Sequence, residues 1–184
     1  EKIFIAKGRP TADPLIVHIA EISQLKQVTR EFSAQARTLA EVFWPGPLTL
    51  ILPKQAEVPD LVTSNLGSVA VRMPDNPVAL ALIRTAATPI AAPSANRFGH
   101  TSPTTAAHVL HDLEGRVDLI LDGGPAHIGV ESTVLDLSTS PARILRPGGI
   151  TREMLESLIG PVEILKQTKK ALPGLPSPGL LEKH

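Results

Sequence analysis

Basic and hydroxyl side chains recur in this sequence where an apolar run meets a loop rich in glycine and proline. The first example is Lys7-Gly8-Arg9-Pro10. Two cations on either side of a glycine can hold phosphate oxygens, because arginine offers a planar fork and lysine a point charge. A solvated turn explains the same triplet. His18, further along, alternates with apolar residues. This pattern is typical of a hydrogen-bonded histidine on the face of a sheet, and a catalytic histidine is the alternative.

An arginine closes the apolar run that begins at Ser68. Arg72 follows Val69-Ala70-Val71, so it lies at the end of a predicted strand. A guanidinium held there can pair with a substrate carboxylate through two parallel hydrogen bonds. A structural salt bridge is the alternative.

Small and polar residues follow the apolar run that ends at Ala92. Small side chains let a ligand approach the backbone, and Ser94 and Asn96 supply hydrogen-bond donors. Ser102 precedes Pro103 as an N-cap precedes the first residue of a helix. The N–H groups of the same helix terminus also suit an anion, so both interpretations stay open.

The C-terminal half contributes a fourth group of candidates. It consists of Gly123-Gly124-Pro125, Glu131-Ser132-Thr133 and Arg146-Pro147-Gly148-Gly149. Simple turns and a surface arginine are the alternatives here. The sequence contains neither a Walker A pattern nor a G-x-G-x-x-G fingerprint. Taken residue by residue, it predicts an anion-binding domain of unfamiliar design.

The composition restricts the class of protein. With 184 residues, 42% of them hydrophobic, the chain suits one compact domain with a tail. Eighteen basic residues balance eighteen acidic ones, which argues against broad electrostatic binding of nucleic acid. The absence of cysteine excludes thiolate nucleophiles, disulfides and cysteine-ligated zinc. No apolar run approaches the roughly 18 residues of a membrane span, so we expect a cytoplasmic protein with no membrane partner.

Hydrophobic periodicity predicts alternating strands and helices. The predicted strands are 14–20, 48–52, 68–72, 89–92, 118–121, 133–137, 142–145 and 162–165. The predicted helices begin after Ser23, which is expected to cap the first, and after Ser33. Three more span 77–87, 103–113 and 151–159, and Thr151 is expected to cap the last. This order predicts an α/β fold, and the closely spaced strands near Thr133 and Arg143 indicate antiparallel pairing as well.

Together, the candidate segments resemble the YrdC/Sua5 family in their order and spacing. The matching segments are KGRPTADPLIVHI, WPGPLTLIL, VAVRMP, APSANRFGHTSPT, GVESTVLDL and ILRPGGIT. The tail LPSPGLLEKH resembles the linker that joins this domain to the smaller C-terminal domain of Sua5-type proteins. The resemblance implies a YrdC-like catalytic domain at 1–165 and a Pro/Gly-rich linker at 166–184.

The resemblance also implies a fold and an activity. The fold is a twisted, mixed parallel and antiparallel sheet flanked by helices, with a substrate pocket on its concave side. The activity is that of a nucleotidyltransferase, which forms threonylcarbamoyl-AMP and pyrophosphate from L-threonine, bicarbonate or CO₂, and ATP. Mg²⁺ is expected to bind through the ATP phosphates. The product passes to the machinery that transfers threonylcarbamoyl groups to tRNA.

Site residues are carried over by position from the same resemblance. Those expected at ATP are Lys7, Arg9, Asp13, Ser68, Ser94, Asn96, Ser102 and Arg146. Those expected around L-threonine are His18, Arg72, Ala92 through its backbone, and Ser132. The resemblance implies no catalytic side chain and no metal ligand, so positioning and electrostatic stabilisation would do the chemistry.

Relatives carry a P-T-E-T-V-Y-G-L segment before K-G-R-P, and its threonine and tyrosine line the substrate site. Because these residues line the site, we expect full activity to require the segment, which this sequence does not include. Two alternatives remain: a related carbamoyltransferase that uses carbamoyl phosphate, and an RNA-binding module without turnover. Zero net charge, four Phe, one Trp and no Tyr count against the second, which leaves at most weak tRNA binding.

Overall fold

A seven-stranded mixed sheet organises residues 1–165, the part of the chain that the computed structural model describes. The strands are β1 (Ile16–His18), β2 (Leu48–Pro53), β3 (Ser68–Arg72), β4 (Ile90–Ala92), β5 (Thr133–Asp136), β6 (Ala142–Arg146) and β7 (Val162–Ile164). Their spatial order is β4-β1-β3-β2-β5-β6-β7. The predicted linker at 166–184 lies outside the described residues.

Parallel and antiparallel pairs occur together in this sheet. β1 and β3, β2 and β5, and β6 and β7 are parallel. β1 and β4, β2 and β3, and β5 and β6 are antiparallel. The predicted mixed α/β fold is therefore confirmed, as is the antiparallel pair near Thr133, in which Asp136 lies opposite Arg143.

Within residues 1–165, six α-helices and one 3₁₀ helix (Ile22–Gln27) precede or connect the strands. The α-helices are α1 (Lys2–Lys7), α2 (Ala34–Phe43), α3 (Asp60–Thr63), α4 (Pro77–Ala86), α5 (Ala106–Leu113) and α6 (Arg152–Ile159). Ser33 caps α2 by accepting a hydrogen bond from the Ala36 N–H (3.2 Å), and Thr151 caps α6 in the same way. Both helices begin where the sequence predicts, and both caps satisfy a backbone donor that the helix leaves unpaired.

Two predicted caps and one predicted strand are wrong. Ser23 does not cap a helix, because its hydroxyl donates to the carboxylate of Glu21. Thr105 caps α5, with a bond of 3.3 Å from the His108 N–H, so this helix begins later than Ser102 suggested. Residues 118–121 form no strand, and Leu119 is 76% exposed. A strand needs a partner for its ladder, and no described strand pairs with this run.

Short helices escaped the sequence prediction. α1 has six residues and α3 has four, too few to display a full apolar period.

None of the helices in residues 1–165 has the length and apolar character that crossing a bilayer requires.

The two faces of the sheet bury different amounts of apolar surface. One face carries the main core, in which strand residues such as Val71 and Leu50 pack against Leu39 of α2 and Leu155 of α6. The other face carries a smaller cluster made of Ile16, Ile51, Ala70, Val134 and Leu145. The second face therefore has room for polar side chains and for a ligand.

Truncating the main core should unfold the domain more readily than truncating its surface. Leu39 is fully buried, so Leu39→Ala should lower the free energy of unfolding by about 2–5 kcal/mol. Val42 lies on the same helix but is 57% exposed, and Val42→Ala should change it by less than about 0.5 kcal/mol. Urea denaturation of both variants measures the difference. Equal losses would contradict the assignment of this helix face to the core.

Candidate functional site

A cleft of about 250 Å³ opens on the second face of the sheet. It lies where strand ends meet the Gly/Pro-rich loops. Eight of the predicted site residues line it: Arg9, His18, Arg72, Ala92, Ser94, Ser102, Ser132 and Arg146. These positions span 138 residues of sequence, from 9 to 146, so the fold itself assembles the cleft.

The register of three strands turns one set of residues towards the cleft. His18 of β1 lies opposite Arg72 of β3, and Ile16 lies opposite Ala92 of β4. Residues opposite each other in a ladder point to the same face of the sheet. His18, Arg72 and Ala92 therefore share one face, and Val17, between them in β1, points into the main core.

A bulge turns Arg146 to the same face. Val134 of β5 lies opposite Arg146. The next residue of β5, Leu135, lies opposite Ile144, which leaves Leu145 as an extra residue in β6. Strict alternation would have put Arg146 on the face of Ile144, inside the main core. The extra residue instead places it on the face of Val134, next to the cleft.

Close backbone packing fixes Arg146 and Ser132 against each other. The Arg146 guanidinium donates to the Ser132 carbonyl (3.0 and 3.2 Å) and to the Ser132 hydroxyl (3.0 Å). The same hydroxyl lies 2.7 Å from Thr49 Oγ1. A Cβ on Gly148 would lie 2.3–2.5 Å from the backbone of residues 131–133, so only glycine fits there. Arg146 thus has one fixed position.

Arg72 is held by the loop after α2. Its Nε donates to the Gly46 carbonyl at 2.9 Å, and the Gly46 N–H donates to the Met73 carbonyl, also at 2.9 Å. A Cβ on Gly46 would lie 2.4 Å from the Phe43 carbonyl oxygen. Burial lowers the pKa of Arg72, although Asp75 opposes this effect. The guanidinium remains charged, because arginine is effectively always protonated in proteins.

Arg9 is oriented by a buried ion pair. Its guanidinium lies 2.9 Å from the Asp13 carboxylate and donates to the Pro14 carbonyl at 2.8 Å. The Asp13 side chain is fully buried and does not line the cleft. Asp13 was expected at ATP, but the structure places it behind Arg9, where it fixes the arginine.

Lys7 and Asn96 also hold the cleft together without lining it. The buried Lys7 ammonium donates to the carbonyls of Ser94 and Asn96. Burial, with a smaller effect of Arg9, lowers the pKa of Lys7 to about 8. The Asn96 amide donates to the carbonyls of Arg97 (3.0 Å) and His100 (2.6 Å). Both residues were expected at ATP, and the structure uses them to shape the loop that carries Ser94.

Ser68 lies away from the cleft. It begins β3, while Arg72 ends it, so the two lie about 13 Å apart along the strand. Ser68 borders a different depression, beside Ser33 and Leu137. Its expected contact with ATP stays a prediction.

Sequence reasoning missed Glu131. Its carboxylate forms an ion pair with Arg146 and accepts a hydrogen bond from the Ser102 hydroxyl at 2.8 Å. Among the described residues that line the cleft, it is the one acid. The signal was its place in the Glu131-Ser132-Thr133 segment, of which only Ser132 was assigned to the site.

The cleft carries a net positive charge. Arg9, Arg72 and Arg146 outnumber Glu131. Burial, with a smaller effect of the charge of Arg146, lowers the pKa of both Arg9 and Arg72. Burial, with a smaller effect of Arg72, lowers the pKa of His18 to about 4, so its imidazole is neutral at neutral pH. The arrangement can bind a ligand with several negative charges and can present serine hydroxyls to it.

Comparison with known families agrees with this geometry. The model of the Sua5/YciO/YrdC family, described as "Telomere recombination", matches residues 1–148. The "Threonylcarbamoyl-AMP synthase" of Bacillus subtilis is 54% identical over 189 residues, which cover 100% of this chain and 54% of that protein. The chain therefore spans about half the length of the curated relatives that it matches most extensively.

Solved structures show the same fold. A structure described as Pyrococcus abyssi Sua5 complexed with L-threonine is 49% identical, with a TM-score of 0.93 over 97% of this chain and 53% of that one. Escherichia coli YciO has a TM-score of 0.73 over 84% of this chain and 75% of its own, at 24% identity. The second similarity concerns the fold alone.

The packing at Gly148 predicts an unusual sensitivity to one methyl group. Gly148→Ala should lower the free energy of unfolding by about 2–3 kcal/mol or more, because the new Cβ overlaps backbone atoms that cannot yield. Gly67→Ala is the matched control, since a Cβ at Gly67 meets nothing within 4 Å. Thermal and urea unfolding of the two variants measure the contrast. Similar stabilities would show that residues 131–133 do not pack against Gly148 as described.

Proposed function

This chain belongs to the Sua5/YciO/YrdC family, and we propose that its cleft makes threonylcarbamoyl-AMP from L-threonine, bicarbonate or CO₂, and ATP. The observation that carries the proposal is the convergence of three arginine side chains and three serine side chains on one cleft. A triphosphate and an amino-acid carboxylate are anions that arginine binds well. The names of the relatives support this choice of substrates.

The two ends of the cleft suit the two substrates. Arg72 and the neutral His18 are neighbours across β1 and β3, and Ala92 lies next to them on β4. In the proposal Arg72 pairs with the threonine carboxylate, while the neutral imidazole and the Ala92 backbone contact the rest of the amino acid. Arg9 and Arg146 neutralise the phosphates of ATP, and Ser94 and Ser102 donate to them.

The reaction then needs positioning more than acid–base chemistry. The threonine amine attacks CO₂ with loss of a proton, or bicarbonate with loss of water, to form a carbamate. A carbamate oxygen then attacks the α-phosphorus of ATP. Pyrophosphate leaves as the new P–O bond forms. Charge redistributes over the phosphate oxygens in this step, and fixed guanidinium groups stabilise it without reorganising. Carbonyls already orient Arg9 and Arg146, so little further ordering is required.

Mg²⁺ is part of the proposal as a companion of ATP, bound through phosphate oxygens and water. When bound, it neutralises part of the phosphate charge. Within residues 1–165, no group of three His, Asp or Glu side chains is arranged to hold a metal ion. The arginine side chains are this chain's own contribution to that neutralisation.

The product's fate completes the proposal. Threonylcarbamoyl-AMP is a mixed anhydride, so it must pass to a transferase that uses its activated carbonyl. We place that step with the tRNA threonylcarbamoyl-transfer machinery in the cytoplasm, with only weak direct binding of tRNA by this chain.

Product analysis tests the reaction directly. Incubation with ATP, Mg²⁺, bicarbonate and L-threonine should give threonylcarbamoyl-AMP, detected by mass spectrometry, and pyrophosphate. The same assay should be run on this chain joined to the P-T-E-T-V-Y-G-L segment of a relative. Threonine-dependent pyrophosphate release in either sample supports the proposal. Turnover with carbamoyl phosphate in place of threonine and bicarbonate would favour the carbamoyltransferase alternative.

Arginine substitutions test the division of the cleft. Arg72→Ala should weaken binding of L-threonine about ten-fold or more and leave ATP binding nearly unchanged. Arg146→Ala should do the reverse. Arg84→Ala removes an exposed arginine of α4 and serves as the control. Isothermal titration calorimetry gives both affinities for each variant. Equal losses of both substrates in the two cleft variants would refute the assignment.

A further inference from the structure

Glu131 puts a negative charge at the place where the proposed function requires ATP phosphates. Its carboxylate pairs with Arg146 and accepts from the Ser102 hydroxyl at 2.8 Å. Both partners are residues that we assign to ATP. A phosphate group that used the same donors would compete with the carboxylate for them, because two anions side by side repel each other.

The carboxylate also joins the two sides of the cleft. Ser102 lies in the loop between β4 and α5, and Arg146 ends β6 at the other side of the sheet. The backbone of Glu131 is fixed, since its carbonyl accepts from the Gly149 N–H at 3.2 Å and a Cβ on Gly148 would lie against it. The backbone of Glu131 is therefore rigid, while rotation of its side chain can make or break the contacts with Ser102 and Arg146.

Its charge compensates the whole group of cations. The carboxylate raises the pKa of Lys7, Arg9, Arg72 and Arg146 above what burial alone would give. The Glu131 side chain is 37% exposed, so it can swing into solvent when a stronger anion arrives.

We propose that the Glu131 carboxylate is a built-in occupant of the triphosphate subsite, which a polyphosphate must displace from Arg146 and Ser102. The inference rests on the proposed function, because it takes the cleft to be the ATP site. Displacement costs the same for every anion that takes these donors, so it lowers the affinity for each by the same factor. A ligand with many charges, such as tripolyphosphate, still binds after that loss, whereas orthophosphate binds too weakly to occupy the subsite.

Binding of inorganic tripolyphosphate tests this exchange without any turnover. Glu131→Gln keeps the size of the side chain and removes its charge, so it should bind tripolyphosphate on the order of five-fold more tightly than the unsubstituted chain. The affinity for orthophosphate should rise by a similar factor, which leaves the ratio of the two affinities nearly unchanged. Glu41→Gln makes the same charge change on the exposed face of α2, outside the cleft lining, and should leave both affinities unchanged.

The outcomes separate this inference from the function on which it rests. If the unsubstituted chain binds tripolyphosphate and Glu131→Gln binds it no more tightly, the displacement idea is overturned and the nucleotide site stands. If neither protein binds it, both fall. A structure of the unsubstituted chain with tripolyphosphate gives a second measurement that does not depend on the variant folding. A carboxylate still paired with Arg146 in that complex would also overturn the inference.

Discussion

Like charges held close together are the constraint on which this domain depends. Each cation in or beside the cleft donates to a backbone carbonyl: Arg9 to Pro14, Arg72 to Gly46, Arg146 to Ser132, and Lys7 to Ser94 and Asn96. Carbonyl dipoles stabilise a positive charge without cancelling it, so the cations stay available to a ligand. The acids add to this in two ways, since Asp13 is buried behind Arg9 and Glu131 lies within the cleft itself.

This constraint explains why the loops are rich in glycine and proline. A carbonyl can hold a guanidinium in place only if its own backbone is fixed. Gly46 lies against the Phe43 carbonyl, and Gly148 lies against residues 131–133, each closer than any side chain would allow. The backbone of these loops is therefore as fixed as that of the strands. The segments that bear the candidate residues also contact one another directly. The Thr133 N–H, for example, donates to the Pro47 carbonyl at 2.9 Å.

Periodicity predicted most of the fold, because most elements follow a local pattern. β3 and the cap of α6 occur where the sequence places them. Two of the failures depend on partners that are distant in sequence. Residues 118–121 have the composition of a strand and no ladder to join, and Ser102 has the position of a cap but donates to Glu131 instead. The family motifs assigned Arg72 and Arg146 to one site. They could not distinguish residues that line the cleft from residues such as Lys7, which hydrogen-bonds the loop beside it.

The extra residue at Leu145 makes the pairing register of β6 matter more than its composition. Substitutions at this position change only a contact of the smaller apolar cluster. Regular pairing with Leu145 opposite Val134 would remove the bulge and send the Arg146 guanidinium towards the helices, away from any substrate. The segment before Arg146 should thus tolerate exchange of one apolar residue for another over evolution, provided that the bulge is kept. A protein that paired these two strands without the bulge would keep every recognisable motif and still lack the cation that these motifs are expected to supply.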